Sequence, residues 1–259
     1  MKGLRCTLAL LALMVVSIRA AEKTAKSMSE RIEEANVNIV RALDGHFVVD
    51  DMVYDSESER NADPCTFTTC KWDQASDGMV YVPYIIADHY TSRERAIIER
   101  GLQSFHSVSC IRFVPRTSER DFIHIQSLDG CFSSVGRRSN EQRLSLKRQG
   151  CLYHDIVQHE LLHALGFNHE QCRSDRDQHL LILWDNIIPR WQYAFDRINT
   201  LNQGTPYDYN SVMQYSKYSF SKNDQPTMVP IPDRNVEFGT ATEMSQNDIT
   251  RLNRLYNCR

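Results

Sequence analysis

Two periods of hydrophobic and polar positions run along this chain, and the switches between them mark its elements. The apolar run "MVYVPYII" (Met79 to Ile86) predicts a strand, and "IRFVP" and "DFIHIQS" predict two more, the last without a clean polar face. Between the first and second strands, "SRERAIIERGLQSFHSVS" (Ser92 to Ser109) puts Ile97, Ile98, Leu102, Phe105 and Val108 on one helical face despite Gly101. Ser92 stands where the cap would be, although Arg95 three residues on is not the acid of a capping box. "HDIVQHELLHALG" (His154 to Gly166) has a strong helical pattern. Further on, Trp184 to Asn199 and Ser245 to Tyr256 predict two more helices, the second with Ser245 as N-cap, Asp248 three residues on, and Ile249, Leu252 and Leu255 as its apolar stripe. The region between them contains Pro, Asn and Tyr without helical periodicity and predicts irregular chain held by packing and disulfides. The fold class is α+β, with a mixed sheet before the central helix and no internal repeat.

The first twenty residues follow neither period. Lys2 and Arg5 precede the apolar run "CTLALLALMVVSI", and Ala20 and Ala21 follow it. A charged start, a short apolar centre and small residues at the end describe a secretory signal peptide cleaved near Ala20; the run is short for a membrane anchor, the alternative reading. From Glu22 to about Leu43 the chain is polar and charged, a segment able to form a helix but without the material for a core. An acidic stretch, Asp50 to Arg60, leads into "NADPCTFTTCKW". The organisation expected is a signal peptide over residues 1–20, a propeptide over 21–60 and a globular domain over 61–259, with Arg60 as a processing site for a trypsin-like protease.

Charge and cysteines bound the partners and the compartment. The 259 residues carry 30 basic and 33 acidic side chains, mixed along the chain with a net charge of -3, so no footprint for a nucleic-acid backbone is present. No second apolar run is long enough for a membrane helix, and the mature protein is expected to be secreted, after storage in granules or directly. Eight cysteines suit an oxidising compartment. Removing Cys6 with the signal leaves Cys65, Cys70, Cys110, Cys131, Cys151, Cys172 and Cys258, an odd set, in which six can pair in about 15 ways. No N-x-S/T sequon is present.

The chemistry concentrates in "QHELLHALGFNHEQCRSDRD". His159 and His163 stand at i and i+4, so both imidazoles leave one face of a helix, Gly166 ends that helix in a left-handed turn, and His169 swings back as a third ligand. Three neutral imidazoles at ~2.0 to 2.1 Å leave a tetrahedral zinc with one open position, the arrangement of a catalytic site. Glu160 projects about 100 degrees round the helix from His159, where it can take a proton from a water that zinc has acidified and pass it to a leaving amine. This is metal-assisted amide hydrolysis. His89, His106, His124, His154 and His179 lie in no such pattern and are read as core or surface residues.

H-E-x-x-H-x-x-G-x-x-H is the metzincin motif. Its continuation "GFNHEQCRSDRD" resembles the astacin family, with Glu170, Arg173, Asp175, Arg176 and Asp177 all matching, and "SVMQY" (Ser211 to Tyr215) resembles that family's Met-turn. The similarity runs from Asn61 to Cys258 and lies nearest the fish hatching enzymes and their six-cysteine relatives. It implies a zincin-like fold with a twisted mixed sheet and long helices in the N-terminal half, an irregular C-terminal half ending in a helix, and one Zn2+ in the cleft between. It also implies Met213 as the apolar floor of the site, Tyr215 as support for the oxyanion, and the pairs Cys65–Cys70, Cys110–Cys258 and Cys131–Cys151, leaving Cys172 unpaired and read as a buried inert thiol. After activation the new N-terminus at Asn61 would lie near Glu170.

Three departures accompany the resemblance. Where the family's leaders carry an F-x-G-D segment this chain has "LDGH", so His46 or Asp44 would block the zinc, or the switch is absent. Gln214 stands where many relatives have histidine, and Cys172 where threonine is frequent. The activity expected is zinc endopeptidase action on protein, with digestion of egg-envelope proteins as the role and a tissue paralogue cleaving other extracellular proteins as the alternative. A non-catalytic secreted zinc protein and a structural zinc site are the readings from other classes; the second lacks an obvious closing ligand.

Overall fold

A computed structural model describes residues 26–39, 42–43, 46–54 and 70–259. The signal-peptide, Arg60, Asn61 and Cys65 expectations lie outside the described residues. Among those described, no helix is long and apolar enough to cross a membrane.

The N-terminal segment contributes helix α1 (Met28–Asn36) and strands β1 (Ala42–Leu43), β2 (His46–Val49) and β3 (Met52–Tyr54). The body continues with β4 (Val80–Ile86), α2 (Ser92–Ser104), β5 (Ile111–Pro115), β6 (Phe122–Gln126), β7 (Cys131–Ser134), β8 (Glu141–Leu146) and α3 (His154–Ala164). These strands form one sheet in the order β1-β2-β3-β7-β8-β6-β4-β5. The pairs β4–β5, β4–β6 and β6–β8 are parallel, β7 runs antiparallel to β8, and β3 adds to the far side of β7 in parallel, pairing Met52 with Ser133.

Both long helices pack on this sheet. Ile98, Leu102 and Phe105 of α2 and its C-cap meet Val80, Val82, Ile123, Ile125 and Leu144 of the strands and Ile156, Val157 and Leu161 of α3, all buried. Gly101 is needed for the contact: a Cβ there would lie 2.2 Å from Cγ1 of Val157. The cap of α2 is Thr91 and not Ser92. Thr91 Oγ1 accepts from Glu94 N–H and Glu94 Oε2 accepts from Thr91 N–H, so the acid missing after Ser92 is supplied one register earlier.

The N-terminal segment also departs from its expected role. Met28 and Ile32 of α1 are buried in the main core, and Asn36 bonds the peptide groups of Cys131 and the carbonyl of Asp50. A polar helix therefore contributes two apolar anchors to a core that the rest of the chain provides.

Beyond Gly166 regular structure gives way. Strand β9 (Leu180–Ile182) pairs with β10 (Met228–Pro230), and helix α4 (Gln246–Leu255) closes the chain with the expected Ser245–Asp248 capping box. The helix expected over Trp184 to Asn199 is instead two 3₁₀ pieces, Trp184–Asn186 and Pro189–Phe195. Pro189 has no N–H to donate and excludes Ile188 from the helical region, so Ile188 sits at ψ 122 and the helix cannot pass. Its aromatic residues pack around Phe220: Trp191 stacks on that ring at 4.9 Å and Phe195 meets it edge-on at 6.2 Å. Among the described residues, the disulfide Cys110–Cys258 ties the first half to the last helix, Cys131–Cys151 ties β7 to the segment just before α3 within the first half, and Cys70 is also disulfide-bonded. The Cys110–Cys258 bridge spans 148 residues, where loop closure contributes about 3 to 5 kcal/mol.

Candidate metal centre and active site

Helix α3 is buried along nearly its whole length because the sheet, α2, α1 and the C-terminal half all pack on it. Its end follows from Gly166, whose φ of +103 lets the Gly166 and Phe167 N–H groups reach back to the carbonyls of His163 and Leu162. The chain reverses there, and His169 returns beside the helix.

The three imidazoles converge. His159 Nε2 lies 3.0 Å from His163 Nε2 and 3.3 Å from His169 Nε2. The His159 Nδ1–H donates to the Val212 carbonyl at 2.8 Å and the His163 Nδ1–H to the Phe167 carbonyl at 2.7 Å. These bonds leave the Nε2 lone pairs of both rings facing each other, an arrangement that is repulsive unless a cation is shared. Burial pushes His169 down to about 4 and lowers His163 as well, which favours the neutral, ligating form. A tetrahedral zinc with bonds of ~2.0 to 2.1 Å needs ligand nitrogens roughly 3.3 Å apart, and this triangle fits it.

A fourth group occupies the same point. The carboxylate of Asp51 lies 3.0 Å from His159 Nε2, 3.1 Å from His169 Nε2 and 3.5 Å from His163 Nε2. All four side chains are fully buried, and their ligand atoms lie within 4.8 Å of one another. Burial pushes the Asp51 carboxyl up, but the three imidazoles outweigh it and hold it well below the usual carboxylate range. The resemblance implies His46 or Asp44 at this point. The side chain of His46 and the whole of Asp44 lie outside the described residues, and the carboxylate that meets the imidazoles is Asp51, at the start of the stretch read only as acidic. A type-specific signal existed in the sequence, an acid pair Asp50–Asp51 in a segment expected to cover the site, but the F-x-G-D register pointed elsewhere.

Glu160 is fully buried, with neither oxygen hydrogen-bonded among the described residues, and burial together with Asp51 and Asp50 raises it well above the ordinary range. Tyr215 stands with its ring 4.3 Å from that of His169 and its hydroxyl unpartnered among the described residues. The Met-turn is tied to the site through its backbone: the Val212 carbonyl orients His159, and the Met213 carbonyl accepts from Glu170 N–H. Met213 itself is buried in the main core. Gln214 turns from the histidines, accepting from the Tyr207 hydroxyl and donating to the Tyr215 carbonyl.

Glu170 lies in a buried charged network behind His169. It accepts from Arg173, from Asp208 N–H and from Arg251, and Arg251 also bonds Asp248, which holds Ser211 and Val212 N–H of the Met-turn. Cys172 is a free, buried thiol that donates to the Ala194 carbonyl, and burial pushes it up to about 12. The other histidines sit apart from the site: His106 accepts from Phe113 N–H, His124 faces Glu141, His89 accepts from Ser127 N–H and His179 stacks on Tyr207.

Mixed sheet, active-site helix, reversed third histidine and acid-rich zinc pocket define a zinc-dependent peptidase. The family model described as Astacin (Peptidase family M12A) matches residues 67–257, and the chain belongs to that family. It is 49% identical over 203 residues to high choriolytic enzyme 1 of Oryzias latipes, covering 78% of this chain and 75% of that protein. It is 44% identical over 201 residues to the low choriolytic enzyme of the same fish, covering 77% and 74%. The solved structure of high choriolytic enzyme 1, a hatching-enzyme zinc protease, superposes with a TM-score of 0.74 over 77% of this chain and 100% of that one. A structure of myroilysin, at 18% identity and TM-score 0.51, shares the fold. The protein is a zinc metalloendopeptidase of the astacin type.

Proposed function

We propose that the chain is made as a secreted zymogen whose activated form digests egg-envelope protein. The observation that carries the latency is the Asp51 carboxylate lodged among His159, His163 and His169, where a substrate carbonyl would have to come. The first twenty residues support secretion, and the identity to choriolytic enzymes supports the envelope as substrate. A trypsin-like protease cutting at Arg60 releases the N-terminal segment, and the new terminus at Asn61 then settles near Glu170.

Bound by the three histidines, zinc supplies Lewis acidity and an acidified water. Glu160, on the same helix, accepts the proton at a carboxylate oxygen and returns it to the leaving nitrogen. The Tyr215 hydroxyl donates to the oxygen on which negative charge develops. Removal of Asp51 from the imidazoles is the event that admits the substrate.

The test is digestion of isolated egg envelope and of a denatured extracellular protein by the purified chain before and after trypsin nicking, beside Glu160→Gln with equal zinc content. Envelope digestion that appears on nicking and disappears with a chelator supports the reading. Cleavage of the denatured protein with intact envelope would favour action on other extracellular proteins, and activity undiminished in Glu160→Gln would overturn the assigned proton carrier.

A further inference from the structure

The N-terminal segment does more at the cleft than place Asp51. Strand β3 pairs with β7, and the Ser133 N–H donates to the Asp51 carbonyl at 2.8 Å, so the chain beyond Asp51 is extended along the sheet edge. Its side chains alternate. Val53 turns to one side, against Val48 and Phe132, while Met52 and Tyr54 turn to the other, where they are buried with Val135 and Cys70 and where Tyr193 packs against the cluster. Tyr54 is only 2% exposed and its hydroxyl donates to Met52 Sδ at 3.4 Å.

Tyr193 is held from behind. Its ring lies 5.8 Å from Trp191, Trp191 stacks on Phe220, and Phe220 lies 5.8 Å from Tyr215, whose ring adjoins His169. A continuous aromatic wall therefore runs from the metal centre to an apolar slot about three residues along an extended chain, roughly 10 Å away. This slot has one wall from the regular half, at Val135, and one from the irregular half, at Tyr193.

We propose that Val135, Tyr193 and Cys70 form a substrate subsite selecting a large apolar or aromatic side chain, occupied in the latent protein by Tyr54. The inference rests on the reading that the N-terminal segment is released, because only then is the slot open. Its class of ligand is a protein chain bound in extended form along β7 with Tyr, Phe or Met within three residues of the scissile bond. Tyr193 and Val135 are assigned the substrate side chain, and the chemistry stays with Glu160 and the three imidazoles.

The test uses the full chain nicked with trypsin, as wild type, Tyr193→Ala and Tyr193→Phe, on peptides in which each position flanking the scissile bond is varied singly. Wild type is expected to favour Tyr, Phe or Met over Ala at one position by at least about tenfold in kcat/KM. Tyr193→Ala should lose that preference, its kcat/KM on the Tyr, Phe and Met peptides falling to that on the Ala peptide, and Tyr193→Phe should retain it. A wild type indifferent at every position, or a Tyr193→Ala variant slowed equally on all peptides, would overturn the proposal. If Tyr193→Ala does not fold, a second measurement decides: a synthetic peptide of residues 46–56 should inhibit the nicked wild type about tenfold less well with Tyr54→Ala, and equal inhibition would overturn it. Failure of latency is read separately, as activity of the chain before nicking.

Discussion

The halves on either side of Gly166 are held together by different means. The first is a ladder of backbone hydrogen bonds with an apolar filling, five register pairs between β6 and β8 and five between β4 and β5. The second has short strands of three residues and relies on buried side chains, with Glu170, Arg173, Asp248 and Arg251 all nearly inaccessible and bonded to one another and to loop backbone. A stiff helix is what places His159, Glu160 and His163 at fixed spacing. A charged network without regular structure is what lets His169, Val212 and Tyr215 approach that helix from the other side. The metal centre is thus a joint between two kinds of order, and each kind fails in its own way.

The largest effect should come where the stiff half does chemistry. Glu160→Gln should lower kcat of the nicked enzyme by about 10² to 10⁴ with zinc content and Tm unchanged, measured by peptide hydrolysis and metal analysis. Next comes the network of the other half. Arg251→Met takes one of its two arginines from buried Glu170 and the ion-pair partner from buried Asp248, and should cost about 3 to 5 kcal/mol in denaturant unfolding. A loss near zero would mean that the C-terminal half does not depend on its charges. In the ladder half the matching change is Gly101→Ala, which meets Val157 and should cost about 1 to 3 kcal/mol by the same measurement.

The contact between N-terminal segment and body gives a smaller, pH-dependent effect. Glu33 accepts from Phe220 N–H, and burial pushes its carboxyl up from 4.5 to about 7, with that bond and Ser219 opposing and Glu30 and Asp51 adding to the rise. A raised carboxyl binds its proton more tightly when docked, so its contribution is complete below about pH 4.5 and is lost as pH rises through about 7. Protection of α1 amides from hydrogen exchange, taken as the ratio to Glu33→Gln, should therefore fall between pH 5 and 8, roughly spanning that window. A flat ratio would remove Glu33 from the account. Smallest of all, Cys172→Ala should shift stability by about 1 kcal/mol and leave activity with and without oxidant unchanged, because a thiol this buried and this weakly acidic is inert.

How much of this could be read from residues alone differs along the chain. His159, His163, Gly166 and His169 were legible because ligand spacing, helix period and a left-handed stop are all local properties, set within eleven residues. The capping box at Ser245 was legible for the same reason, and the one at Thr91 was missed by a single register. The helix expected at Trp184 to Asn199 shows the limit of periodicity: its apolar spacing is helical, yet Pro189 forbids the turn, and Trp191 and Phe195 both pack on Phe220, outside the segment.

Sequence by itself determined the metal chemistry, the central helix and the family, since these depend on residues near one another in the chain. Only the tertiary structure decided that Asp51 meets the histidines, that Met28 and Ile32 enter the core, and that Tyr54 is buried with Val135 in a cluster against which Tyr193 packs. Asp51 lies 108 residues from His159. Contacts at such separation depend on how β3 adds to β7 and how the irregular half folds back, and many acids in the N-terminal segment have the same chemistry. Choosing among them takes the register of the sheet, which no local pattern carries.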